Sequence, residues 1–516
     1  MKFIQGTNRN QVNLFPVSLE QSIDEDNEIR IIDLFVDSLS LQDYGFKVEY
    51  VENGRPAYHP SDLLKLYIYG YLNKTRTSRD LEKECKRNIE VIWLLKSLQP
   101  DHNTISNFRR DNPKAIKKVF RATVKIARHF DLIGGKLIAG DSTKFRAQNS
   151  KKNNFNQKKI DRHKAYIDNK LDEYNNQLSE ADGDKKEQIK KEIENQNRHK
   201  NKYNKLEKQL KERGESQVST SDSESRQMIV RNNITEVAYN TQTTVDEKHN
   251  LPIDYKVTNN NDSKAMGNML RRAKSILGTN KFTALYDKGY HTGSELDIAE
   301  CLGIESMVAI PGIPRSSQAP DPDFNVENFQ YDYTSNSYTC PQGNRLTTNG
   351  TWYQGNNYKF RQYKTPACKN CPVMAKCTKS VRNGKIVQRS EYIPAIERNK
   401  KRVEQKTDHY RRRQAIVEHP YGTIKRQWGF SYILTKKGIK RASADVGLMF
   451  VAYNIRRIMN ILGKDELKKY LEVLILLVLA IYRQIRAKLS QFNVSIFFNK
   501  ILTDFFKVIL NRLIFV

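Results

Sequence analysis

The chain has 516 residues, enough for two to four domains and a sizeable core. Lys and Arg number 88 against 58 Asp and Glu; the resulting charge of +30 is spread along the chain and favours a polyanionic partner, nucleic acid first, with a lysine-rich protein from an AT-rich genome as the alternative. Six cysteines make no disulfide framework at this length, residues 1–16 have no signal-peptide pattern, and the longest apolar run, "VLILLVLAIY" at 473–482, is too short to span a bilayer, so a cytoplasmic protein with reduced thiols and no membrane partner is expected.

Residues 1–130 read as helical. Pro60 and "SDLLKLYIYGYL" carry a helix start and apolar residues at helical spacing, and Thr77 or Ser78 is placed to cap "TSRDLEKECKRN". "NIEVIWLLKSL" and "DHNTISNFRRDN" follow as a third and a fourth helix. Short helices, tight joints and the pair Arg109 and Arg110 fit a helix-turn-helix-like DNA-binding module, with Arg109 and Arg110 on phosphates; an ordinary helical bundle fits equally well.

Residues 131–150 and 216–312 have α/β character. "KLIAG" is a short strand with Asp141 at its end, and the stretch around "DEKHN" alternates as a hairpin. "DSKAMGNMLRRAKSIL" is a helix, "KFTALYDKGY" a strand ending at Asp287, "HTGSELDIAECLGI" a helix and "ESMVAI" a strand. Two aspartates at strand ends occupy the place where α/β sheets set their active sites, although an Asp there also serves as an N-cap or turn residue.

Between these halves, residues 151–215 form a charged insert. Ile160, Ile167, Leu171, Tyr174 and Leu178, then Ile189, Ile193, Tyr203, Leu206 and Leu210, predict two long helices joined at Gly183 in a coiled-coil-like hairpin. Residues 313–385 are rich in loops and cysteine. Cys340, Cys368, Cys371 and Cys377 have the softness and close spacing of a closed structural zinc site; four reduced, unliganded thiols are the alternative. Cys85 and Cys301 are expected to be buried. Residues 386–463 read as basic helices, and 464–516 as an apolar and basic helical tail whose end, "NVSIFFNKILTDFFKVILNRLIFV", is a candidate for self-association, with a poorly folded read-through as the alternative.

Phosphoryl transfer on a nucleic acid can use two divalent ions about 3.5–4 Å apart, held by carboxylates. Asp141, Asp287 and Glu418 are candidates, but any three of 58 acids can be grouped. The surrounding words narrow the choice. "GDSTKFRAQNS", "LYDKGYHTGSEL" and "VEHPYGTIKRQWGF" resemble, in order, the three acidic segments of the DDE transposases of bacterial insertion sequences, in the branch named for insertion sequence 1182. "HPSDLLKLYIYGYL" and "HNTISNFRR" resemble that family's amino-terminal domain, and the resemblance covers roughly residues 15–463.

The resemblance implies an RNase H-like α/β core with a helical N-terminal DNA-binding domain, the helical-hairpin insert and a small Cys-rich zinc-binding insert. It implies Asp141, Asp287 and Glu418 as catalytic ligands of two Mg²⁺, with Mn²⁺ able to substitute, and Glu418 delivered by a late helix onto the sheet edge. Lys425, two turns on if a helix resumes after Pro420, and Arg426 would meet phosphates of the element's end; a solvated charge is the alternative for Lys425. Tyr410 and Arg413 have the expected two-residue gap of the wider family's signature and belong with the phosphate contacts. Four residues separate Arg413 from Glu418 where that signature has three. The implied activity is binding of terminal inverted repeats, cleavage at the element ends and joining of the 3′-OH to target DNA, by a homodimer on DNA in the bacterial cytoplasm at the nucleoid. A non-catalytic DNA-binding descendant, or a metal-dependent nuclease without strand transfer, are the rivals; all three acids being present argues against the first. His291 and His419 lie near the acids in sequence, and Trp428 is expected in the core.

Overall fold

The computed structural model describes residues 18–48, 56–231, 234–380, 382–435 and 437–490. Residues 1–16 and the end of the tail lie outside them.

Seven helices lead: α1 (Ile29–Asp37), α2 (Leu41–Tyr44), α3 (Pro60–Leu72), α4 (Ser78–Arg87), α5 (Ile89–Leu94), α6 (His102–Asp111) and α7 (Pro113–His129). Their starts follow local chemistry. Pro60 and Pro113 stand in first turns, where no amide donor is needed. The Thr77 hydroxyl accepts from the Asp80 amide at 3.1 Å, and the Asp101 carboxylate from the Asn103 and Thr104 amides. In α3 every residue from Leu63 to Leu72 is buried, so it is a core helix and not a surface one.

The central sheet begins with β1 (Leu137–Arg146). A two-stranded ribbon of β2 (Asn154–Phe155) and β3 (Val218–Ser219) closes the base of the hairpin of α8 (Gln157–Glu180) and α9 (Asp184–Arg213). Phe155, Ile160, Leu206, Leu210 and Val218 form a small core there. β4 (Arg226–Arg231), β5 (Ile234–Asp246) and β6 (Leu251–Thr258) follow. Then come α10 (Met266–Leu277), β7 (Thr283–Tyr286), α11 (Gly293–Cys301) and β8 (Glu305–Val308). The order is β4-β5-β1-β7-β8, with β6 also on β5. β1, β5 and β6 run antiparallel in turn, whereas β1, β7 and β8 are parallel. This mixed sheet is consistent with an RNase H-like core. Of its three parallel strands, β7 and β8 end at one edge and β1 runs on past it.

The Cys-rich insert carries β9 (Gln330–Asp332), β10 (Ser337–Thr339) and β11 (Arg345–Leu346) in one small sheet. β12 (Tyr353–Gln354), β13 (Lys359–Tyr363), the short α12 (Met374–Cys377) and β14 (Val387–Ser390) complete it. After it come α13 (Ile393–Gln405), α14 (Thr407–Tyr421), a π-helical turn Gly422–Gln427, α15 (Ile439–Leu462) and α16 (Lys464–Ser490).

The two faces of the sheet have separate cores. Ile138 and Ala284 face a cluster that runs from Ile23 to Leu471 and includes α1, α3, α7 and α15. The N-terminal helices therefore share one core with the sheet and do not stand apart. Leu137, Ala139, Val245, Leu285 and Met307 face Ile416 and Val417 of α14. Of the late segments expected as basic helices, α15 is instead a buried one: Ala442 and Ala444 to Ile455 are all buried. Cys85 is buried as expected, but Cys301 at the end of α11 is exposed. Among the described residues no helix is long and apolar enough to cross a membrane.

Candidate active site

Side chains alternate along β1, so Leu137 and Ala139 put Asp141 and Thr143 on the face that α14 covers. Asp141 is not at the end of its strand. β1 continues through Arg146 because β5 pairs with it along this whole stretch, Asp141 opposite Thr243. What ends is the parallel pairing with β7, whose last partners are Ala139 and Leu285. Asp141 therefore lies just beyond that junction, and Asp287 just beyond β7. Gly140 makes the junction fit: a Cβ there would stand 2.0 Å from the Tyr286 ring.

The two carboxylates are within electrostatic reach of each other and of Arg413. An Oδ2 of Asp141 accepts from Arg413 Nη1 at 3.1 Å, and its Oδ1 from the Ser142 amide at 2.7 Å. Burial pushes the Asp141 carboxyl up; Arg413 and the amide pull it back, and the Asp287 charge raises it further. Asp287 Oδ1 accepts from the Gly289 amide at 2.9 Å and caps a short turn, Lys288–Tyr290, so the turn-residue reading holds for it locally.

On α14, Tyr410, Arg413, Val417 and Tyr421 form one stripe towards the sheet. The Tyr410 hydroxyl donates to the Tyr286 carbonyl at 3.0 Å. The Tyr421 hydroxyl donates to the Asp141 carbonyl at 3.3 Å and contacts the Thr243 hydroxyl. Ile416 and Val417 pack on the face of the sheet, not its edge, which corrects the expected docking of this helix.

Glu418 is one residue past Val417 and so turned by about 100° from the sheet. It is exposed, and its Oε1 accepts from Gln414 Nε2 at 2.8 Å. It opens onto a cleft of about 410 Å³ with Thr143, Tyr421, Lys425 and Arg426. Pro420 does not break the helix: α14 runs through it and continues as the π turn, where Gly422 N–H reaches the Glu418 and His419 carbonyls. Lys425 is on that turn and donates to the Thr143 hydroxyl at 3.0 Å and the Lys144 carbonyl at 3.1 Å. It pins the turn to β1. Arg426 is exposed at the cleft.

Asp141 and Asp287 suit a divalent cation: both are hard oxygen donors, and a cation would relieve their repulsion. Glu418 does not join them in this arrangement. Among the described residues no group of three or more His, Cys, Asp or Glu has metal-holding geometry. The same holds for the cysteines. Cys340, Cys368, Cys371 and Cys377 line one small cavity of about 20 Å³ with Phe324, Phe329 and Leu346, without metal-holding geometry. Burial raises the Cys377 thiol; Lys385 opposes this and the other three thiols add to it.

Two expected DNA contacts are placed elsewhere. Arg109 is buried; it donates to the Tyr71 hydroxyl at 3.0 Å and pairs with the buried Asp445 at 3.5 Å, so it is a core residue and not a phosphate ligand. Arg110 is paired with its neighbour Asp111 through two bonds of 2.6 Å. His419 bonds the Tyr453 hydroxyl at 2.7 Å, and Trp428 packs against Phe430 and Tyr453. His291 Nε2 is buried with no hydrogen-bond partner among the described residues.

Sequence reasoning missed Tyr421 and Asp262. Tyr421 continues the Tyr410 stripe and becomes legible once Pro420 is not taken as a stop. Asp262 accepts from the Ser142 hydroxyl at 2.8 Å and Asn240 at 2.7 Å, behind the site; nothing in its loop signals this.

Residues 17–111 match a family described as a transposase domain (DUF772), and residues 339–459 match a transposase DDE domain. The second segment includes Tyr410, Arg413, Glu418 and Lys425 but neither Asp141 nor Asp287. No curated protein matches the chain. A cryo-EM structure of a piggyBac transposase synaptic complex with hairpin DNA aligns over 87% of this chain and 79% of that one, at 8% identity and a TM-score of 0.33, too low to bear on the fold or the site.

Proposed function

With a transposase domain segment near its start and a transposase DDE domain segment near its end, the chain is, we propose, a DNA transposase that cuts at the ends of its own element and joins the freed 3′-OH to target DNA. The observation that carries this is the nearness of Asp141 and Asp287, both just beyond the parallel pairing of β1 with β7, under a helix bearing Arg413 and Glu418 beside a basic cleft. DDE transposases use divalent metal ions. When bound, two such ions activate the attacking oxygen and stabilise the leaving one. Asp141 and Asp287 would hold them, with Glu418 as third carboxylate and Mg²⁺ or Mn²⁺ as the ion. Arg413 holds Asp141 in place from above, and Tyr410 and Tyr421 fix α14 over the end of β7 and over Asp141. Lys425 and Arg426 offer cationic groups at the cleft mouth for the phosphates of a terminal repeat. Two ends must be held together, so a homodimer on DNA is expected. The four cysteines would hold one structural zinc, which metal analysis of the purified chain tests directly at one zinc per chain.

A second reading has its own support. Arg413 already neutralises Asp141, and Glu418 is turned away, as expected for a DNA-binding descendant that no longer cuts. One experiment separates the two. Labelled DNA spanning the segments that flank the coding sequence is incubated with Mg²⁺ or Mn²⁺ and the chain, or its Glu418→Gln variant. Cutting and joining by the wild type, with the variant binding only, supports the transposase. Binding by both and cutting by neither supports the descendant.

A further inference from the structure

From Tyr333 to Ser390 the chain has no Asp or Glu but has ten Lys and Arg, among seven aromatic residues. In a protein where charges otherwise interleave, fifty-eight consecutive residues without an acid are a local field of one sign. The fold turns this stretch into a surface. β12, β13 and β14 form an antiparallel sheet in which Tyr353 is opposite Phe360 and Phe360 opposite Ser390. Paired residues share a face, and alternation sends Tyr363 and Val387 to the other one, where they build the small core of the insert.

The face with Tyr353 and Phe360 has no such role. Neither residue, nor Trp352 or Tyr358, belongs to any hydrophobic cluster among the described residues. Tyr353 and Phe360 stack at 5.8 Å between ring centroids, and Tyr358 stands 5.9 Å from Phe360. Trp352 is 45% and Tyr358 40% exposed. Arg361 alternates to the side of Tyr363 and stacks 4.5 Å over the Trp352 ring there, so that pair stands apart from the Tyr353, Tyr358 and Phe360 rings. Stacked, open aromatic rings inside an acid-free basic stretch are what unpaired bases need: each base has a flat face to stack, and the phosphates between bases take the cations.

The insert is also rooted at the right edge. It leaves the sheet after β8, whose end is the edge that bears Asp287, and returns through β14 into α13. There the Asn399 side chain accepts from the Val308 amide at 2.9 Å and donates to its carbonyl at 2.8 Å. We propose that the outer face of the β12–β14 sheet is a stacking platform for unpaired nucleotides of a DNA end. The proposal rests on the DNA reading above and adds a place and a chemistry to it.

The test uses the full chain without Mg²⁺, so that nothing is cut, and compares two DNAs of one sequence: a fully paired duplex and the same duplex with four mismatched terminal pairs. Fluorescence anisotropy at fixed salt gives both affinities. The wild type is expected to prefer the open end by about fivefold or more, and Tyr358→Ala to lose about 5- to 100-fold on that DNA alone. Tyr358→Phe keeps the ring and the preference, whereas Lys359→Ala weakens both DNAs alike. Thermal melting confirms that these exposed substitutions leave the fold intact. Equal wild-type affinity for the two DNAs overturns the platform and leaves the DNA reading standing. A Tyr358→Ala variant that keeps the preference, or a Tyr358→Phe variant that loses it, also overturns the platform. Binding to neither DNA overturns both.

Discussion

Asp445 and Asp141 both meet arginine, and they do so in opposite ways. Asp445 on α15 is fully buried and lies between Arg109 and Arg76, at 3.5 and 3.8 Å. The Tyr71 hydroxyl and the Leu434 amide donate to it as well. Every partner is of complementary sign, and the cluster ties α3 and α6 to the segment that follows the π turn; Arg76 also stacks 4.2 Å from the Phe430 ring. Asp141 has one arginine and, nearby, a second carboxylate of its own sign. A buried charge with full compensation fixes the fold. A half-buried charge facing a like charge is a place kept ready for something else.

If that contrast is right, stability and activity rank four variants in opposite orders. Asp445→Ala leaves two buried guanidiniums without their carboxylate, and urea denaturation is expected to show a loss of about 3–5 kcal/mol. A loss below about 1 kcal/mol would mean that the arginines find water, which breaks the contrast at its stronger end. Lys425→Met removes the pin between the π turn and β1, including the bonds to Thr143 and the Lys144 carbonyl, and is expected to cost about 1–2 kcal/mol. It should also weaken DNA binding; a variant as stable as the wild type with weaker binding would make Lys425 a DNA contact alone.

Asp141→Asn gives up the Arg413 pair but relieves the repulsion with Asp287. Its melting should move little, by about 1 kcal/mol or less in either direction, while strand joining falls about a thousandfold or more. A large loss of stability would instead place Asp141 with Asp445 as a structural charge. Glu418→Gln is expected within about 0.5 kcal/mol of wild type, because the side chain is exposed and its Gln414 partner can bond an amide. Its joining activity should nevertheless vanish. Normal joining by this variant would remove Glu418 from the site.

Much of the scaffold was legible because it is written in local pattern. The hairpin 236–258, the helix starts at Pro60 and Thr77, the two long charged helices and the short strand before Asp287 all follow from period, caps and turns. The errors have physical causes too. "KLIAG" looked complete at Asp141 because the apolar run stops there, but the strand continues on the hydrogen bonds of β5, which need no apolar side chain. Pro420 looked like a stop because proline lacks a donor; α14 runs through it into a π turn, where the hydrogen-bond pattern has shifted. Arg109 looked like a DNA contact because an Arg-Arg pair is common at phosphates, and nothing near it in sequence shows that Asp445 waits in the core.

Periodicity, caps and the order of the three acidic segments are properties of neighbours along the chain, so the α/β core, the position of Asp287 just after its strand and the long hairpin could be read from it directly. Which side chains meet is a property of rotation and register. One residue along a strand changes face, and one along a helix turns by about 100°. Packing of Ile416 and Val417 on the sheet turned Arg413 onto Asp141 and Glu418 to the open side. Burial of α15 took Arg109 into the core. Those outcomes depend on how distant surfaces fit, and only the folded chain decides them.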